Sequence, residues 1–333
     1  MAETTELIAS LHELAQRRAA RRLFFRNTAG VAAGVIGGGV LGACGGGGGG
    51  SAPAAAQSAP APAPAGAPTD AEILNFALNL EYLESSFYHF AVYGTGIPAN
   101  LQTGVGSQGT VTGGSQVPFS DPIVAAYAKE IAQDELDHVN FLRTALGPAA
   151  VALPNINISG TDPAGSFSTA ARAAGIIGAG AVFNPYLDDI NFLLGAFIFE
   201  DVGVTAYKGA SPYISNKAYL EAAAGILAAE AYHAGLVRTV LYSKGIQTPQ
   251  VFTDVQDISN LRNALDHNGA DDQGIQGADS SVSNIVPLDS NGLAYSRTTG
   301  HVLNIVYGTT AAATSGLFFP SGVNGSINAS SAS

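Results

Sequence analysis

At 333 residues, 47% apolar and 12% charged, the chain can build a substantial core as one large or two ordinary domains. Its formal charge of −12 argues against a nucleic acid partner, because such binding depends on neutralising phosphates. A lone cysteine, Cys44, excludes an internal disulfide.

The chain opens on an address. Residues 17–26 read RRAARRLFFR and residues 27–43 read NTAGVAAGVIGGGVLGA, a basic stretch before a short, weakly apolar run, the layout of an export signal. The Arg21-Arg22-Leu23-Phe24-Phe25 segment resembles a twin-arginine signal. Leu41-Gly42-Ala43-Cys44 resembles a bacterial lipobox, which implies a diacylglyceryl group on Cys44 and a lipid anchor in the cell envelope. The apolar run is short and glycine-rich, whereas a spanning helix needs ~20 mostly apolar residues. Without residues 1–43, 9 basic residues face 23 acidic ones, so the exported part is more acidic still. Residues 44–69, a glycine run followed by SAPAAAQSAPAPAPAGAPT, cannot form a core and read as a tether.

Four helices come next, by periodicity. The first is expected from about Asp70, as N-cap, to Val92, with Ile73, Leu74, Ala77, Leu80, Leu83 and Phe87 as its apolar stripe. The second begins at Ser120-Asp121-Pro122 and runs to about Leu146. The third spans roughly Tyr186 to Tyr207, and the fourth Ser215 to Tyr242, each stopping before a Lys-Gly pair. Residues 95–119, rich in Gly, Thr and Ser, read as a long surface loop. The roughly 40 residues between the second and third helices, with a short helix near Thr169–Gly178, suit a long crossover better than a hairpin. The signals in 244–333 are weaker; one short helix is expected near Ser296–Tyr307, in a loop-rich extension packing on a bundle at 70–243.

Two of the four helices carry Glu-x-x-His: Glu135 with His138, and Glu230 with His233. That spacing puts a carboxylate and an imidazole on one face. The other two helices carry Glu81 and Glu200, the latter after a nearly unbroken apolar run, where an ionised carboxylate is costly unless paired or bound to metal. Each of these glutamates has a tyrosine seven residues on, Tyr88 and Tyr207, and each Glu-x-x-His glutamate has an arginine eight residues on, Arg143 and Arg238. The chain thus repeats a two-helix unit in register. Four carboxylates with two neutral imidazoles offset the charge of two divalent ions, and the mixed oxygen and nitrogen set suits Fe or Mn. Glu84, three residues after Glu81, is an alternative ligand. His89 reads as a packed or surface histidine. Tyr88 and Tyr207 either donate to ligand carboxylates across the bundle or simply pack. Arg143 and Arg238 are expected to satisfy helix ends.

The segments LNFALNLEYLESSFY, DELDHVNFLRTAL, FEDVGVTAY and AAEAYHAGLVRTVLY resemble the ferritin-like domain family that includes plant desiccation-related proteins and bacterial secreted homologues. The closing AYSRTTGHVLNIVYG and GLFFPSGVNGSIN resemble the same family's C-terminal end, so the resemblance covers about residues 70–325. It implies an all-α ferritin-like four-helix bundle and two metal ions, Fe or Mn. In that set Glu135 and Glu230 bridge the ions, Glu81 and Glu200 are terminal ligands, and His138 and His233 bind one ion each. The bundle hosts several chemistries. The expected function is a redox-active envelope protein acting on dioxygen, peroxide or Fe(II), with manganese catalase as a neighbouring possibility. The alternative is a non-catalytic stress-protection or structural protein. A closed iron-storage cage fits poorly with the lipid tether and glycine-rich tail.

Overall fold

A computed structural model describes residues 67–332. The export signal, Cys44 and nearly all of the tether lie outside the described residues. The described chain is mainly helical, in the order α1 (Asp70–Tyr93), β1 (Val111–Gly113), α2 (Pro122–Leu146), β2 (Ile156–Ile158), α3 (Ser166–Ala174), α4 (Asp189–Ala210), α5 (Lys217–Gln247), α6 (Gln250–Asp266) and α7 (Thr299–Tyr307).

Helices α1, α2, α4 and α5 make the bundle. Helix α1 packs along α2, and α4 along α5. The pairs meet more lightly, α1 against α4 and α2 against α5. Helices α1 and α4 are inner helices, buried through most of their circumference, as their nearly all-round apolar sequences require. Helix α4 is apolar enough to pass for a membrane span, with a mean hydropathy of 1.3, yet 83% of that window is buried inside the protein. It is a core helix.

The helix starts obey local chemistry. Helix α1 is capped by Thr69, one residue before the expected Asp70, because Glu72 completes a reciprocal capping box with Thr69. Asp70 instead accepts from the backbone amides of Ser215 and Asn216, fixing the entrance to α5. Asp121 caps α2 ahead of Pro122, as read from the sequence. The expected ends of α4 and α5 were too early: both helices continue through their Lys-Gly pairs, to Ala210 and Gln247. Gly209 leaves room for the carbonyl of Arg297, which lies 1.9 Å from where a Cβ would stand.

Residues 95–119 are pinned rather than loose. Val105 and Gly109 donate to the carbonyls of Ala150 and Leu153, and β1 pairs in parallel with β2, Val111 opposite Ile156. This ties the insertion to the crossover between α2 and α4, which also contains α3. The extension holds a second helix that the sequence reading missed, the 17-residue α6. It packs against α3, α4, α5 and α7.

Candidate metal centre

The two-helix repeat brings its six residues to one point. Glu81, Glu135, Glu200 and Glu230 are each no more than 1% exposed, and only the His138 side chain, 12% exposed, keeps an edge toward solvent. The two imidazole rings stand 6.2 Å apart, centre to centre. His138 Nδ1 lies 3.2 Å from Glu81 Oε2, 3.6 Å from Glu135 Oε2 and 3.7 Å from Glu230 Oε1. His233 Nδ1 lies 3.0 Å from Glu135 Oε1 and 3.8 Å from Glu200 Oε2.

Two overlapping ligand clusters result. One is Glu81, Glu135, His138 and Glu230; the other is Glu200, Glu230 and His233. Glu230 belongs to both, and Glu135 turns one oxygen toward each histidine. Eight atoms face this centre with no hydrogen-bond partner among the described residues: Glu81 Oε2, Glu200 Oε2, both oxygens of Glu135 and of Glu230, and Nδ1 of each histidine. Buried polar atoms are ordinarily satisfied, so this convergence of donors fits a pair of cations.

Both tyrosines donate across the bundle, Tyr88 to Glu200 Oε1 and Tyr207 to Glu81 Oε1. Each Glu therefore has one oxygen held from behind and the other, Oε2, aimed inward. Three further residues escaped the sequence reading. Asp134 reaches Nε2 of His233 at 3.4 Å and so orients the imidazole from outside. Gly203 gives Glu230 its room, since a Cβ there would lie 2.3 Å from Glu230 Oε2. Asp201, beside Glu200, anchors a buried ion network. Only Gly203 had a visible signal, a glycine inside an apolar helix.

Glu84 is buried but joins neither cluster. It sits behind Gly203, 3.5 Å from that missing Cβ. His89 is a local contact, its Nδ1 2.7 Å from Thr95 O.

Electrostatics follow from this crowding. Burial pushes the Glu81 carboxyl up to about 7 and Glu200 to about 8, against the pull of His138 and His233 respectively. Burial, then the charge of Glu135, holds Glu230 well above the ordinary range. Burial would raise Glu135 too, but its close contacts with both imidazoles, at 3.6 and 3.0 Å, outweigh it and hold it low. Burial works against protonated His233, yet Asp134 and Glu135 lift it to about 10.

The arginines do not satisfy helix ends. Each pairs with the residue following the other helix's glutamate: Arg143 donates to the hydroxyl of Tyr82, and Arg238 reaches Asp201 Oδ2 at 2.8 Å. Arg238 is fully buried and also donates to the carbonyls of Gly274 and Asn284. Arg262 joins Asp201 at 2.9 Å to Asp272 at 2.7 Å. Arg297 binds Asp266, Asp271 and Asp272. The three aspartates on Arg297 have ligand-like spacing, but each already faces a guanidinium, so this cluster is an ion-pair network.

The ferritin-like domain profile matches residues 69–243. The chain is 28% identical to the ferritin-like catalase Nec2 of Nesocodon mauritianus over 78% of its own length and 84% of the relative's. It is 31% identical to the desiccation-related protein PCC13-62 of Craterostigma plantagineum, over 69% of its length and 75% of the relative's. No solved structure matches the chain. With its helices paired as a bundle and its paired Glu-x-x-His helices converging, the chain belongs to the ferritin-like domain family.

Proposed function

We propose that the centre holds two Fe or Mn ions and turns over hydrogen peroxide or dioxygen, on a protein exported and lipid-anchored in the cell envelope through Cys44. The observation that carries this reading is the set of eight inward-facing ligand atoms that lack a hydrogen-bond partner among the described residues. Four carboxylates from Glu81, Glu135, Glu200 and Glu230 balance two divalent charges, and His138 and His233 complete a set suited to either metal. Such a pair of ions supplies two adjacent redox centres able to exchange electrons with a small oxidant.

The chain's own residues supply the rest. Tyr88 and Tyr207 fix the orientation of Glu200 and Glu81, and Asp134 that of His233. The phenylalanines around Phe87, which stacks on Phe192 and meets Phe167 and Phe199 edge-on or tilted, keep bulk water from the α1–α4 side. The exposed edge of His138, 12% of its side chain, marks the wetter approach. The name of the Nec2 relative supports a peroxide-removing role, and its 84% coverage makes the comparison one of nearly whole proteins.

Elemental analysis of the natively purified protein tests this, alongside a Glu135→Ala, Glu230→Ala double variant. About two Fe or Mn ions per chain, lost in the variant, and metal-dependent oxygen release from peroxide are expected. A wild type that neither contains nor takes up metal ends the proposal. Metal without turnover selects the second reading, a stress-protection protein with a structural metal site, for which the name of the Craterostigma relative speaks. Lipid labelling abolished by Cys44→Ala tests the anchor separately.

A further inference from the structure

Two small, largely apolar cavities share a wall, and the inner one abuts residues of the metal centre, with His138 lining neither. The outer one, about 20 Å³, lies between α3, α4 and α6. Partly exposed Ala174, Ile176, Leu261 and Leu265 form its rim. Its one charged neighbour, Arg262, has its guanidinium turned to Phe197 O and Asp201. The inner cavity, also about 20 Å³, ends on Glu84, Gly203 and Tyr207. Ile198, Ile305 and Phe318 line both cavities and form their shared wall.

We infer that these cavities form a passage for dioxygen between the protein surface and the metal centre, entering or leaving past Ile198, Ile305 and Phe318. This rests on the function proposed above for the identity of the gas, but not for the existence of the passage. Size and chemistry choose the occupant. A volume of about 20 Å³ admits one molecule of two or three atoms, and cavities lined by aliphatic and aromatic carbon stay dry and take up apolar gases. Hydrogen peroxide would lose its hydrogen bonds in the outer cavity and at the shared wall. The polar reactant is thereby left to the His138 side. At the inner end Gly203 thins the wall: a Cβ there would lie 2.3 Å from Glu230 Oε2 and 3.5 Å from Glu84 Oε1. Helix α7, which brings Ile305 and Val306, gives the C-terminal extension a part in the site. Transit calls for rotamer changes of Ile198, Ile305 or Phe318, a motion side chains make on short timescales.

Krypton is the probe, since it is apolar, close to dioxygen in size and located by its anomalous scattering. Crystals of the full chain as purified, frozen under krypton pressure, are expected to hold krypton in both cavities. In Val306→Leu, which fills the inner cavity, the inner krypton should fall at least about fivefold while the outer one stays. No krypton in the inner cavity of the wild type, or equal inner occupancy in the variant, overturns the passage. Overpacking can prevent a variant from folding, and the wild-type crystal alone then decides. Krypton binding needs neither metal nor turnover. Filled cavities with no peroxide or dioxygen chemistry would therefore refute the function and leave the passage standing, and empty cavities with active protein would do the reverse.

Discussion

Tyr88 and Tyr207 tie the two halves of the site together, because each donates to the glutamate of the other repeat. Removing a hydroxyl while keeping the ring isolates that hydrogen bond from packing. Tyr88→Phe leaves Glu200 Oε1 without its donor inside the bundle, and Tyr207→Phe does the same to Glu81. Loss of such an outer partner lowers metal affinity by about 10–100-fold, and each single variant is expected to fall in that range by chelator competition. Unchanged affinity with an unchanged fold would mean that the tyrosines only pack. Gly203 gives a second expectation at this scale. A Cβ placed 2.3 Å from Glu230 Oε2 must push that carboxylate aside, so Gly203→Ala should bind fewer ions per chain while its helical circular dichroism is retained.

At the scale of elements, α6 and the loops after it are held to the bundle by charge as much as by apolar contact. Arg262 lies over the Phe197 ring, 4.6 Å from its centroid, and joins Asp201 of α4 to Asp272. Arg262→Met keeps much of the volume and leaves two buried aspartates short of a partner. A loss of about 3–5 kcal/mol is expected, read from urea unfolding; Arg143→Met, at a half-buried site beside the Tyr82 hydroxyl, should lose less. A cost below about 1 kcal/mol for Arg262, the range of an exposed pair, would mean that the network is dispensable. This same charge explains what the sequence concealed. Helix α6 carries an apolar stripe, Val251, Val255, Ile258, Leu261 and Leu265, but its buried residues also include Ser259, Arg262 and Asp266, so the stripe is thin and polar side chains break its inner face. The bundle helices were legible because their buried faces are made of carbon until the glutamates interrupt them. The six site residues were legible because Glu-x-x-His recurs in register with Glu and Tyr. Asp134 and Asp201 were hidden beside stronger signals, Glu135 and Glu200, and only the fold shows which way they point.

For the whole molecule, the raised carboxyls and histidines make stability and metal uptake depend on pH in opposite senses. Glu81 moves from 4.5 to about 7, Glu200 from 4.5 to about 8 and Asp272 from 3.8 to about 6, in each case chiefly by burial. His233 moves from 6.5 to about 10. All four are raised, so the folded, metal-free protein binds more protons than the unfolded chain in the windows between these values. The stability they contribute is fully present below the unfolded values and is lost as pH rises through the folded ones. Glu135 has the opposite sign, but its window lies below 4.5 and does not touch the neutral range. Asp272, moved from 3.8 to about 6, gives the part of this stability that is lost by about pH 6. Glu81 and Glu200 carry the decline on toward pH 8. Two incoming cations must displace these same protons, so affinity rises with pH and ligand-linked stabilisation rises with it. The metal-free midpoint of thermal unfolding should therefore fall from pH 5 to pH 8, while the gain on adding Mn(II) grows over the same interval. A metal-free midpoint that climbs toward pH 8 would show that the buried carboxyls are ionised throughout. The six residues would then be held apart by ordered water or rearrangement and not by direct crowding of their side chains.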